Sequence, residues 1–571
     1  MKSTPSLSGG RSGWGWGCIA RASFVVAFVC WTSVAVAQQT SAVATAHPLA
    51  TAAGYEMLKR GGNAFDAAVA AVAALGVVEP YSSGLGGGGF WLLHRARDGY
   101  EVMVDGRETA PAAVKPELYF DARGKPIPGA TRRGGLAVAI PGAAAALAHV
   151  AARYGRLPLT ESLAPAIRYA REGFAIDRRY AEIVKLRERF LQGGAGTAEI
   201  FLDRGSAPQS GYVVRQPQLA NTLEHIAREG AAAFYSGAVA KALVQTVNEA
   251  GGVWQLEDLA QYRVVERPPI RFRYRGARIT AAALPSAGGI ALAQSLGMLE
   301  RFAPGAPAHP EYAHLVIETL RRVFHDRARY LGDSDFAPVP VARLLDPAYN
   351  TRRAASIDPA KASPSDALGH DNLNPGASRN TTHLSVIDDA GNRVAATLTI
   401  NLLFGSGIVA GDTGVLLNNE MDDFTLSHDV PNAFLLHGAR ANEIEPRKRP
   451  LSSMTPAFVE DGRGVLILGS PGGSRIVSQV LLAILEHLRA PNVDLKRVLA
   501  LPRYHHQYWP DRVEIEPEGF SPAWRAALEA KGHSIHVARR KWGNMQLVFK
   551  SSETGVAEAA SDPRGQSIAW Y

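Results

Sequence analysis

The chain has 571 residues, is 46% hydrophobic and 20% charged, and so has ample material for a large core. Its length allows roughly two to four domains, and no solenoid-type repeat stands out. The formal charge of +8 is spread thinly, with Arg447-Lys448-Arg449 the densest run and no aromatic-interleaved basic stripe, which argues against nucleic-acid binding.

Residues 1–37 read as a secretory signal. Lys2, Arg11 and Arg21 are basic, Ala22 to Val36 is apolar, and Ala35-Val36-Ala37 offers a small-x-small cleavage site. The apolar run is short for a membrane span, so no stable span is expected after its removal. Both cysteines, Cys18 and Cys30, lie in this segment. The mature chain therefore has no disulfide, no thiolate metal site and no cysteine nucleophile.

Residues 48–80 read as helical, interrupted at Gly61-Gly62, and the Ala/Val/Leu run from Asn63 to Val78 predicts a helix buried on most sides. The glycine run Gly86–Gly89 follows, without the Lys-Ser/Thr of a phosphate loop, and predicts tight backbone packing. Trp91-Leu92-Leu93 and Glu101–Val104 read as strands. Residues 141–330 read as largely helical, opened by Pro141 and closed by the Tyr312–Tyr330 stretch. The polar tract 358–380 reads as an exposed linker.

Strand patterns begin abruptly at Thr381. Leu384 and Val386 alternate with His383 and Ser385. A turn follows at Asp388–Asn392, and Val394, Ala396, Leu398 and Ile400 then share one face. This is a hairpin. Centred on Ala390, it sets Thr381 opposite Thr399.

A threonine becomes a competent nucleophile when it is N-terminal, because its own α-amine, with an ordinary pKa of roughly 7.7–8, serves as base. That requires a cut before Thr381, and the polar tract ahead of it suits one. The run from Thr381 to Val386, with Gly391-Asn392, Thr397, Thr399, Asn401 and Phe404-Gly405, resembles the signature of the γ-glutamyltranspeptidase (glutathione hydrolase) family. The likeness extends along nearly the whole mature chain. It includes Gly61–Ala68, Leu85–Gly89, Asp105–Glu108, Leu417–Phe424, Arg449–Met454 and Gly469–Ser474.

The resemblance implies an α+β fold, a four-layer αββα sandwich of the N-terminal-nucleophile hydrolase type. It implies a precursor that cuts itself between Asn380 and Thr381 into a large subunit (38–380) and a small subunit (381–571) that stay together. Thr381 Oγ would attack a γ-glutamyl amide, as in glutathione, and water or an amino-acid or peptide acceptor would resolve the ester. Thr399 would support the nucleophile, and Gly472 and Gly473 would supply oxyanion donors. The donor's α-carboxylate suits Arg107, Ser452 and Ser453, and its α-ammonium suits Asn401, Glu420 and Asp423. The segment 428–440 matches the family's flap over the site, with Phe434 where many bacterial relatives carry tyrosine. No cofactor or metal is implied. His505-His506 would point to opposite faces of a strand and cannot readily grip one ion. Two other readings stand beside this one: a glutaryl or cephalosporin acylase of similar sequence, and a catalytically silent exported binding protein on the same scaffold.

Overall fold

The computed structural model describes residues 39–194, 196–368, 381–427 and 431–565. The signal segment, Asn380 and the tract from 369 to 380 lie outside the described residues. Among those described, no helix is long and apolar enough to cross a membrane.

Twelve strands build two six-stranded sheets. Six precede Thr381: β1 (Ala42–Thr45), β2 (Gly88–Arg95), β3 (Tyr100–Gly106), β4 (Val265–Arg267), β5 (Ile270–Tyr274) and β6 (Ala277–Ala281). Six follow: β7 (Thr382–Ile387), β8 (Arg393–Thr399), β9 (Ala457–Asp461), β10 (Gly464–Gly469), β11 (Gln546–Ser551) and β12 (Ala557–Ser561). The first sheet runs β1-β7-β8-β2-β3-β4 and the second β12-β11-β10-β9-β6-β5, antiparallel throughout.

The alternation of the strands separates three apolar layers. Leu384, Val386, Val394, Ala396 and Leu398 face helices, including α1 (Pro48–Lys59) and α2 (Ala64–Val78). Leu92, Ile387 and Ala395 of the first sheet meet Phe458, Ile467 and Val548 of the second. The outer face of the second sheet packs on α3 (Gly288–Leu299), α4 (Pro310–Tyr330) and α5 (Arg475–Arg489). The result is helix, sheet, sheet, helix.

Helix α2 is buried almost all round, as its composition predicts. Asn63 caps it, accepting from Phe65 N and Asp66 N while Asp66 accepts from Asn63 N. Such a box contributes about 1 kcal/mol. Asp388, in the turn between β7 and β8, accepts from Ala64 N and so ties the hairpin to the helix start.

The structure departs from the sequence reading in two places. Residues 265–281 form β4, β5 and β6 inside the stretch read as helical. In β5, Ile270 and Phe272 alternate with exposed Arg271 and Arg273, so the strand resembles a charged loop. Of the tract 358–380, the described residues 358–368 are mostly exposed but pinned near Ser365. Ser365 Oγ donates to Tyr508 O, and Ser365 N donates to Asp511 at 2.8 Å.

Candidate active site

Strands β7 and β8 pair with Leu398 opposite Thr382 and Thr397 opposite His383. One step further along that register sets Thr381 against Thr399. Both are almost fully buried, and both line one small cavity. Thr399 Oγ1 accepts from Asn401 N at 2.8 Å, which turns the chain away from the strand.

The glycine run explains how β2 lies so close beneath. Gly88 pairs with Thr399, and a Cβ on Gly87 would lie 2.1 Å from Thr399 O. His383 lies two residues along the same face of β7, between the sheets, with Nδ1 at 2.8 Å from Thr397 Oγ1 and its ring against Gly469. It is a packing residue.

Arg107 follows β3 and is fully buried. Its Nε donates to Pro450 O, one terminal nitrogen donates to Glu420 and Glu108, and the other donates to Asp423 at 2.6 Å. Burial alone would lower its pKa, but Glu420, Glu108 and Asp423 hold it above the ordinary value. Burial pushes Glu420 well above the usual carboxylate range and Glu108 up to about 7, in each case against the pull of Arg107. Asp423 is raised for the same reason.

Several buried polar atoms at this cavity find no hydrogen-bond partner among the described residues: Glu420 Oε2, Asn401 Oδ1 and Ser453 Oγ. Asn401 is held at φ 71°, a strained position for a side-chain-bearing residue, and its Nδ2 donates to Asn419 O, which leaves Oδ1 available. Ser452 Oγ also reaches this wall and accepts from Met454 N at 3.1 Å.

Gly472 and Gly473 link β10 to α5. Both have positive φ, 135° and 58°, in the region that favours glycine. Their carbonyls accept from Arg475 N and Ile476 N, while their own N–H groups donate no hydrogen bond among the described residues. Those N–H groups stand at the positive end of a 15-residue helix, a setting suited to developing negative charge. Gly473 lines the cavity, and Gly472, its neighbour in the chain, is not among the lining residues.

Phe434 covers this corner. A Cβ on Gly473 would sit 2.3 Å from its ring, so glycine is what lets the ring lie flat there. Asn432 Oδ1 accepts from Phe434 N and Leu436 N, and Gln507 Nε2 donates to Phe434 O at 3.0 Å.

The structure thus brings to one cavity Thr381, Thr399, Arg107, Asn401, Glu420 and Asp423. Ser452, Ser453, Gly473 and Phe434 complete its wall. Sequence reasoning missed two contributors. Asn432 Nδ2 donates to Asp423 at 3.0 Å, binding the cover to the carboxylate. Arg327, from α4, lines the cavity in the last turn of a helix that read only as apolar-striped. His505 and His506 stand elsewhere: His505 bonds Ser478 and Gln507, and His506 bonds Asp511.

Two face-to-face antiparallel sheets between helical layers define the N-terminal-nucleophile hydrolase class of fold. Residues 50–571 match the gamma-glutamyltranspeptidase family model, and the chain belongs to that family. It is 39% identical to the glutathione hydrolase proenzyme of Escherichia coli K12, over 91% of this chain and 90% of that one. Among solved structures it is similar to a cephalosporin acylase from Bacillus halodurans, with TM-score 0.82, 29% identity, and 93% and 96% of the chains covered. It is also similar to the Helicobacter pylori gamma-glutamyltranspeptidase, with TM-score 0.55 and 35% identity, over 57% of this chain and 95% of that chain.

Proposed function

We propose that the chain is a self-processing γ-glutamyltransferase and glutathione hydrolase whose nucleophile is Thr381. The observation that carries the donor assignment is the two-signed cavity around that residue. Partnerless acceptors on Glu420 and Asn401, with Asp423 beside them, suit an α-ammonium, while guanidinium and Ser453 suit an α-carboxylate.

In this reading the precursor cuts between Asn380 and Thr381. The new α-amine of Thr381 takes the proton of its own hydroxyl. Oγ bonds to the γ-carbonyl carbon, and the oxyanion is received by N–H groups at Gly472 and Gly473. The C–N bond then breaks, and the leaving amine takes the proton. Water or an amine acceptor attacks the resulting ester and restores the hydroxyl. Phe434 closes the site by packing and, having no hydroxyl, leaves water access to shape. The first 37 residues support export, and with it a donor met outside the cytoplasm.

Purified protein tests this reading. Denaturing gels and intact mass should show two pieces with a cut before Thr381, and glutathione should be hydrolysed. Thr381→Ala should stay one chain and hydrolyse none. Activity surviving in Thr381→Ala would remove the nucleophile assignment. The similarity to a cephalosporin acylase supports a second reading, a glutaryl-amide acylase. That substrate has no ammonium for Glu420 and Asn401 to receive, and faster turnover of a glutaryl amide than of glutathione would favour it. A chain that never splits would favour a silent binding protein.

A further inference from the structure

Gln507 takes no part in the reading above, yet its one amide group touches two walls of the active site. It follows the short strand Tyr504–His505 by two residues. Its Nε2 donates to Phe434 O at 3.0 Å, Leu435 O at 2.9 Å and Trp509 O at 3.2 Å, so two of its three acceptors belong to the cover. Its Oε1 accepts from Ser474 Oγ at 2.6 Å and from His505 Nε2 at 2.8 Å. Ser474 directly follows Gly473, so the other end of the amide holds the loop that carries the oxyanion donors.

Chemistry fixes which way the amide points. An amide oxygen only accepts and an amide nitrogen only donates, so three carbonyls on one side require the nitrogen there. On the other side, burial pushes the pKa of His505 down to about 3, which keeps the ring neutral. Its single proton then sits on Nε2, aimed at Oε1, and Nδ1 accepts from Ser478 Oγ at 2.6 Å.

The cover offers its carbonyls through its own turn. Leu435 N donates to Asn432 O, and Asn432 N donates to Leu436 O. Leu435 is held at φ 62°, a strained conformation for leucine. The turn brings two successive carbonyls to a single amide. The Phe434 ring meanwhile lies against Gly473. The cover and the Gly472–Ser474 loop are thus joined twice, by ring packing and through Gln507. Phe434 has no hydroxyl with which to tie the cover itself.

We propose that Gln507 is a positioning residue that couples the cover to the oxyanion loop, holding the first shut and the second in place through one side chain. The proposal rests on the acyl-enzyme of the reading above. The two ends of the amide have separable effects. Without the nitrogen's grip the cover is freed and bulkier acceptors enter. Without the oxygen's grip the oxyanion donors loosen, and the chemistry slows whatever the acceptor.

The test gives the mature enzyme γ-glutamyl-p-nitroanilide and two competing acceptors, small hydroxylamine and bulkier glycylglycine. The ratio of γ-glutamyl-glycylglycine to γ-glutamyl hydroxamate is set within one acyl-enzyme, so an uncut or misfolded fraction leaves it unchanged. Gln507→Glu keeps an acceptor for Ser474 and His505 and loses the donor to the cover. It should raise that ratio by about 3- to 10-fold, the scale of one net hydrogen bond, with a smaller change in kcat. Ser474→Ala should do the reverse, lowering kcat per mole of cut enzyme by about 3- to 10-fold at an unchanged ratio. Gln507→Leu should show both effects, and if it stays uncut on denaturing gels the other two variants suffice. A ratio unmoved in Gln507→Glu, or a kcat unmoved in Ser474→Ala, would overturn the coupling and leave Gln507 a structural residue. Failure of the donor reading is separable. A wild-type enzyme that cleaves glutaryl-p-nitroanilide but not the γ-glutamyl compound loses that reading. The glutaryl donor with the same two acceptors then makes the same comparison for Gln507.

Discussion

Asp423 is gripped from two sides. Arg107 holds one carboxylate oxygen at 2.6 Å, and Asn432 of the cover holds the other at 3.0 Å. Replacing it by asparagine keeps the shape and removes the charge that an ammonium needs. Asp423→Asn is expected to raise donor KM by about 10- to 100-fold, the scale of one charged hydrogen bond. Self-cleavage should persist, because the residue lies across the cavity from Thr381 rather than on its strand. Parallel gels and donor kinetics separate the two effects, and cleavage failing as badly as binding would make Asp423 structural. At this scale the sequence is legible where chemistry comes in runs. Thr381 opens a hairpin, Asp423 sits in an acidic turn, and the glycines come as a pair. Arg327 and Asn432 are illegible for a physical reason. Each is an ordinary residue in its own segment, and only tertiary folding carries it to the cavity.

Among the elements, β7 has a second anchor on the face away from the cavity. Thr382 Oγ1 donates to Glu79 at 2.9 Å, and Tyr81 Oη donates to the same carboxyl at 3.3 Å. Glu79 follows the end of α2 and is fully buried. Burial pushes its pKa up to about 7, opposed by Arg179 and these two donors. A carboxyl whose pKa rises on folding binds its proton more tightly in the folded state. Its stabilising contribution is complete below the ordinary value and is lost as pH rises through about 7. The shift corresponds to at most about 3 kcal/mol. Thermal unfolding should therefore show wild type losing stability between about pH 5 and pH 8, with Glu79→Gln flatter over the same range. Matching slopes for the two proteins would rule Glu79 out as the cause. Elements with clean alternation, such as β7 and β8, are readable down to their register. β5 is not, since arginines on its exposed face disguise the strand period.

For the molecule as a whole, the change from helical to strand-like patterning at Thr381 is a boundary in the chain and not in the architecture. β7 and β8 lie between β1 and β2, and β9 to β12 complete a sheet begun by β5 and β6. The apolar layer between the sheets draws on both sides of the boundary, as Ala42 and Leu92 meet Ile467 and Val548. A cut before Thr381 therefore severs one covalent bond and leaves the hydrogen-bonded ladders whole. The two pieces should elute together by size exclusion in native buffer and part only in denaturant. Separation without denaturant would mean that the shared sheets do not hold. The overall layering is accessible only through family likeness, because periodicity reveals which face is apolar but not which distant strand will meet it.

The interleaving of strands also bears on supply. Neither piece can bury its sheet faces without the other, so an excess of either would be waste prone to sticking. Encoding both in one reading frame delivers them in equal number from every pass of a ribosome, already side by side, with no search for a mate and no balance of expression to maintain.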